Sequence, residues 1–142
     1  RGVKTLGVRM QRHNETGARL AEYLHSHPKI SCVHYPGLPD HPDHAVARRL
    51  MSGYGGVVSF EVRGGLERTS RFMDALRIPR IGPSFGGAES LAIQPALQSY
   101  YDLPPEQRQA VGIRDELVRY AAGLEDAEDL IADLAQALES LS

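Results

Sequence analysis

Leu6, Met10, His13, Gly17, Leu20 and Leu24 recur at steps of four and three, the spacing that lines one face of a helix. This predicts a long leading helix over residues 1–27, ended by Pro28, because the residue before a proline is pushed out of the α region. Residues 30–35 then turn β-branched and aromatic and are closed by Pro36-Gly37-Leu38-Pro39, which predicts a strand and a turn. A second helix is expected next, with Pro42 in its first turn and Val46, Ala47, Leu50 and Met51 facing inward. Gly53, Gly55 and Gly56 break the chain before Val57-Val58-Ser59-Phe60-Glu61-Val62, the clearest strand pattern present.

Helical spacing returns at Leu66, Thr69, Met73 and Leu76. Residues 78–87 contain two prolines and three glycines, so a loop with a short extended piece is expected there. Leu91-Ala92-Ile93 predicts a brief strand, Pro104-Pro105-Glu106 a helix start, and residues 117–121 another strand. Asp126 is suited to cap a last helix whose inward stripe is Leu130, Leu134, Leu138 and Leu141. Several connections are too short for the crossover that a parallel pair needs. The expected fold class is therefore α+β, a small, mainly antiparallel sheet with helices packed on one face.

The 142 residues suffice for one domain with its own core, and 42% hydrophobic against 24% charged residues is the balance of a folded chain. Sixteen Lys and Arg are mixed with eighteen Asp and Glu, with no basic stripe, so nucleic acid is not an expected partner. No apolar run reaches the ~20 residues of a membrane span, so no membrane partner is expected either. Cys32 is the single cysteine, which excludes an internal disulfide and a thiolate cluster and fits a reducing compartment. The chain opens at Arg1 without Met, directly before a helical pattern, and reads as a fragment of a longer protein.

Six histidines raise the question of a metal, but His34, His41 and His44 lack a metal-binding spacing, and no metal site is expected. His13 lies on the apolar stripe of the first helix, the place of a core or interface histidine. The Gly53–Gly56 run precedes a strand, whereas a phosphate loop follows one, so turn glycines are the better reading. Arg119 stands within the apolar strand Leu117-Val118-Arg119-Tyr120-Ala121. Spacing alone leaves two readings open: an edge-strand arginine facing water, or a guanidinium fork gripping a substrate carboxylate. Ser84, in a glycine-rich loop, is a candidate for the same anion, and Glu89 for an amino group or a simple cap.

Longer stretches carry a resemblance. Arg1-Gly2-Val3-Lys4-Thr5-Leu6, Tyr35-Pro36-Gly37-Leu38-Pro39, Met51-Ser52-Gly53-Tyr54-Gly55-Gly56, Ser84-Phe85-Gly86-Gly87-Ala88-Glu89-Ser90-Leu91 and Val118-Arg119-Tyr120-Ala121-Ala122-Gly123-Leu124-Glu125-Asp126 resemble the Cys/Met-metabolism family of pyridoxal-phosphate (PLP) enzymes. Within it, Pro83-Ser84-Phe85-Gly86-Gly87 and Ser99-Tyr100-Tyr101-Asp102-Leu103-Pro104 look most like the plant-type cystathionine gamma-synthases. The resemblance implies a single C-terminal, substrate-binding domain over 1–142. It implies that Arg119 holds the α-carboxylate of an amino-acid substrate, that Ser84 lies beside it, and that Glu89 faces the distal amino group of cystathionine.

The implied parent is a PLP-dependent transferase of methionine biosynthesis, usually a homotetramer, joining an activated homoserine, O-phosphohomoserine in plant-type members, to cysteine. A cytoplasmic or plastid-stromal location goes with it. The only lysines, Lys4 and Lys29, do not match the family's Schiff-base lysine. The resemblance thus implies a missing PLP-binding domain, no cofactor bound to this fragment, no catalytic residue in it and no activity on its own. Two other readings stand beside this one: a domain of a cystathionine or methionine gamma-lyase, and a stand-alone α+β ligand-binding or interaction domain.

Overall fold

The computed structural model describes residues 1–141. Five strands form one sheet in the order β1-β2-β5-β4-β3: β1 is Ile30–His34, β2 Val57–Val62, β3 Arg80–Ile81, β4 Leu91–Ile93 and β5 Leu117–Ala121. All neighbours pair antiparallel except β3 with β4. The helices are α1 (Leu6–His25), α2 (His44–Leu50), α3 (Gly65–Ala75), α4 (Pro105–Ala110) and α5 (Ala127–Glu139), with 3-10 turns at Gly2–Thr5 and Pro95–Leu97. This is the α+β architecture that the sequence predicts.

Alternation along β2 and β5 creates the core. Val58, Phe60, Val62, Val118 and Tyr120 turn to one face and meet Leu20 and Leu24 of α1, Phe72 and Met73 of α3, and Leu130, Leu134 and Leu138 of α5. Phe60 and Phe72 pack edge to face with ring centroids 5.7 Å apart. Each large apolar side chain buried this way contributes roughly 1.5–3 kcal/mol. The helix ends are tied down by polar contacts. Asp126 accepts from the amide of Glu128 at 3.0 Å, and the Glu128 carboxylate lies 2.6 Å from Arg19, whose guanidinium holds its pKa down to about 2. At the other end of α5, the Lys29 ammonium donates to the carbonyls of Leu138 and Leu141 at 2.7 and 2.6 Å. Buried Asp133 accepts from the amides of Arg77 and Ile78 at 3.0 Å and so fixes the exit of α3 against α5.

Some expectations shift. The leading segment begins as a 3-10 turn and its α-helix stops at His25, with the amide of His27 folding back to the Leu24 carbonyl. Its stripe is buried only from His13 onward: Leu6 and Met10 are exposed, since the first turns extend past the core that covers Leu20 and Leu24. Pro42 lies outside α2, which Asp43 precedes, and of the four positions expected to face inward only Ala47 is buried. That helix is a two-turn bridge at the domain surface, too short to present a full stripe.

One close approach holds α1 to the sheet. Gly17 packs directly on the Gly55 backbone, while Asn14 accepts from the Gly55 amide at 2.7 Å and the Tyr35 hydroxyl donates to its carbonyl at 3.0 Å. Burial pushes the Tyr35 phenol up to about 12, so it stays a donor at physiological pH. A Cβ at position 17 would collide with the Gly55 carbonyl, whereas one at Gly7 meets nothing. Gly17→Ala is therefore expected to destabilise by about 2–3 kcal/mol in urea unfolding, and Gly7→Ala to be neutral or stabilising by up to about 1 kcal/mol; equal effects would remove the close-approach argument.

Candidate functional site

Arg119 is not on an edge. β5 lies between β2 and β4, and Arg119 is in register with Ser59 on one side and Ile93 on the other. Because Val118 and Tyr120 face the core, the pleat sends Arg119 to the opposite face. There its Nη2 donates to the carbonyl of Pro83 at 2.5 Å and to that of Ser84 at 3.3 Å. Its Cζ lies 6.0 Å from the centre of the Phe85 ring. Nε is buried and has no hydrogen-bond partner among the described residues. An unpaired buried donor on a fixed cation costs on the order of 1–3 kcal/mol until an acceptor arrives, which marks the spot as suited to an anion.

The 83–86 loop is held from two sides. Arg9 of α1 donates through Nη1 to the Gly86 carbonyl and through Nη2 to that of Gly2 at 2.7 Å. Gly86 itself takes φ +74, a conformation that suits glycine. Ser84 is thus brought to Arg119, though it is its carbonyl that makes the contact, and the side chain stays exposed. Glu89, at the far end of the same loop, is exposed and makes no hydrogen bond or ion pair among the described residues. The structure therefore gathers Arg119, Ser84 and Phe85, and leaves Glu89 without a contact to them.

A clamp that sequence reasoning missed secures the end of this loop. Glu125 accepts from the amide of Ser90 at 2.7 Å and from its hydroxyl at 2.8 Å, and the Ser90 hydroxyl accepts from the Gly123 amide at 2.8 Å. Gly123 is needed there because a Cβ would run into Glu125 and the Ala88 carbonyl. Nothing in the spacing of Ser90 and Glu125 announces the pair. Arg9 was equally silent, reading as one more charge on an exposed helix face. His13 is buried, and neither ring nitrogen has a partner among the described residues.

Other candidates do not converge. His34 pairs with Glu61 at 3.2 Å, His25 with Asp40 at 3.8 Å, and His44 Nδ1 lies 2.8 Å from the Pro36 carbonyl. Among the described residues no group of three or more His, Cys, Asp or Glu could hold a metal ion. Burial, with Glu61 and Asp40 adding to it, pushes the Cys32 thiol up, away from a reactive thiolate. Among the described residues no helix is long and apolar enough to cross a membrane. As to a Schiff base, Lys29 is committed to capping α5 and Lys4 stands exposed in the 3-10 turn, so the residues present do not fit PLP as a resident group.

Comparison with known proteins adds the following. Residues 1–139 match the profile of the Cys/Met metabolism PLP-dependent enzymes. The chain is 57% identical over 141 residues to the chloroplastic cystathionine gamma-synthase 1 of Arabidopsis thaliana, covering 99% of this chain and 25% of that protein. It is 45% identical over 140 residues to the cystathionine gamma-lyase of Sus scrofa, covering 99% of this chain and 35% of that one. The crystal structure of a cystathionine gamma-lyase from Lactobacillus plantarum complexed with L-serine superposes with a TM-score of 0.91 at 39% identity, covering 97% of this chain and 36% of that one. The chain thus spans between a quarter and about a third of the length of these relatives.

If Glu125 secures the loop, Glu125→Ala should cost about 2–3 kcal/mol in urea unfolding, the loss of charge-assisted hydrogen bonds to a buried hydroxyl and an amide. Amide exchange at Ser90 and Gly123 should accelerate before global unfolding. Unchanged protection at both amides would show that the loop is held by other contacts.

Proposed function

We propose that this chain, which belongs to the Cys/Met-metabolism family of PLP-dependent enzymes, is the C-terminal, substrate-binding domain of a cystathionine gamma-synthase that joins an activated homoserine to cysteine. The single observation that carries the reading is the buried, unpartnered Nε of Arg119 on a guanidinium already anchored to the 83–84 carbonyls. A carboxylate placed there supplies the missing acceptor, neutralises the charge and gains a second hydrogen bond in the same plane. Higher identity to the plant gamma-synthase than to the gamma-lyases supports the synthase side, as do Ser99-Tyr100-Tyr101.

In this family the PLP ring, when bound, acts as an electron sink for the substrate's α-carbon. That ring would be held by another part of a longer protein. The residues of this chain orient the amino acid: Arg119 takes the α-carboxylate, Phe85 shields one face of the guanidinium from water, and Ser84 lies at the rim with its hydroxyl free to turn toward the same anion. Glu89 is the candidate for the distal ammonium of cystathionine, reached by a movement of its side chain from solvent. With O-phosphohomoserine as the activated substrate the leaving group is phosphate, and the thiol of cysteine forms the new carbon–sulfur bond. The longer protein is expected to be a homotetramer in the plastid stroma or cytoplasm, with this chain alone inactive. A gamma-lyase domain is the second reading, favoured by the close superposition on the Lactobacillus plantarum lyase.

The full-length protein supplied with O-phosphohomoserine and cysteine should release phosphate and cystathionine in equal amounts. Ketoacid and ammonia from cystathionine instead would identify a lyase. Arg119→Ala in the same protein should lower kcat/KM by about 2–5 kcal/mol, chiefly through KM, with the cofactor absorbance unchanged; unaltered substrate kinetics would reject Arg119 as the carboxylate partner.

A further inference from the structure

Beside the 85–86 loop lies a half-open cavity of about 230 Å³, lined mainly by Met10, His13, Tyr54, Val57, Phe85 and Ala122. At about 30 Å³ per water it has room for roughly seven molecules, far beyond an ordinary packing defect. Its walls are almost wholly apolar. The exception is His13, which is 1% exposed, lines the cavity, and has both ring nitrogens unpartnered among the described residues. Buried polar side chains are nearly always satisfied, so an imidazole left open toward a void of this size indicates an absent partner.

The chemistry of that partner follows. An imidazole carries at least one N–H in either ring state, so the ligand must offer an acceptor. The acceptor must be uncharged, since the walls are apolar and among the described residues no Lys or Arg lines the site to offset an ionised oxygen. The rings of Tyr54 and Phe85 and the Met10 thioether favour an aromatic or similarly polarisable body. We propose that this cavity is a binding site for a small uncharged molecule with a ring-sized apolar body and one hydroxyl or carbonyl oxygen, which accepts a hydrogen bond from His13. Phe85 and Met10 are exposed and form the rim through which it enters. The site adjoins Arg119 on the same face of the sheet and shares Phe85 with it, but the proposal does not depend on Arg119 binding a carboxylate.

The test uses 4-fluorophenol titrated into the full-length protein, followed by fluorine NMR, with isotope-labelled histidine reporting the His13 ring nitrogens. A saturable fluorine shift is expected, accompanied by movement of the His13 ring resonances. Met10→Trp, a change at the half-open rim, should abolish binding by filling the cavity. His13→Leu should weaken it about five- to tenfold, the loss of one hydrogen bond with the apolar contacts kept. Absence of saturable binding would overturn the proposal, as would a shift that survives Met10→Trp. So would a His13 ring already hydrogen-bonded in the ligand-free protein and unresponsive to the probe, because another segment or ordered water would then occupy the site. Should His13→Leu fail to fold, Met10→Trp alone decides.

Discussion

The pairing of β2 with β5 governs where everything else goes. With Val58, Phe60 and Val62 opposite Val118 and Tyr120 on the helix-covered face, period-two alternation leaves Ser59 and Arg119 no place except the other side. A slip of one residue would drive the guanidinium into the core and bring the apolar set to the surface, a cost of many kcal/mol that pins the register. The position of Arg119 is thus a consequence of core packing, and the loop that meets it is added on top.

That loop is irregular backbone made definite by charge. Two guanidiniums, from α1 and β5, take carbonyls of the 83–86 segment, while Glu125 takes the amide and hydroxyl of Ser90. Under the proposed role for Arg119, rigid placement matters because a bidentate carboxylate contact tolerates little displacement of the fork. The neighbouring cavity is lined by the same loop, with Phe85 touching both it and the Arg119 guanidinium.

Much of the architecture could be read from the chain because local signals agreed with tertiary demands. Val57–Val62 and Leu117–Ala121 are β-rich and bounded by turn residues, and Asp126 with the Leu130, Leu134, Leu138 stripe marks an amphipathic capped helix. Expectation and structure part where periodicity outruns contact: Leu6 and Met10 keep the helical spacing beyond the core, and Val46 and Leu50 sit on a helix with little to pack against, Met51 just past its end in extended backbone. Arg119 stood out in the sequence as a charge inside an apolar strand, and Ser84 by its loop. Arg9, Ser90 and Glu125 had no such contrast with their surroundings, and pairs more than thirty residues apart leave no trace in spacing. The open state of the His13 nitrogens is a property of packing alone.

The account rests on Arg119 offering an unfilled donor to a carboxylate. The most direct measurement is the Nε–Hε correlation of Arg119 in the full-length protein as an amino-acid substrate is added. A saturable shift of that resonance, with the Nη2 contact to the 83–84 carbonyls retained, is the expected result. A resonance that stays fixed while substrate binds and turns over would contradict it.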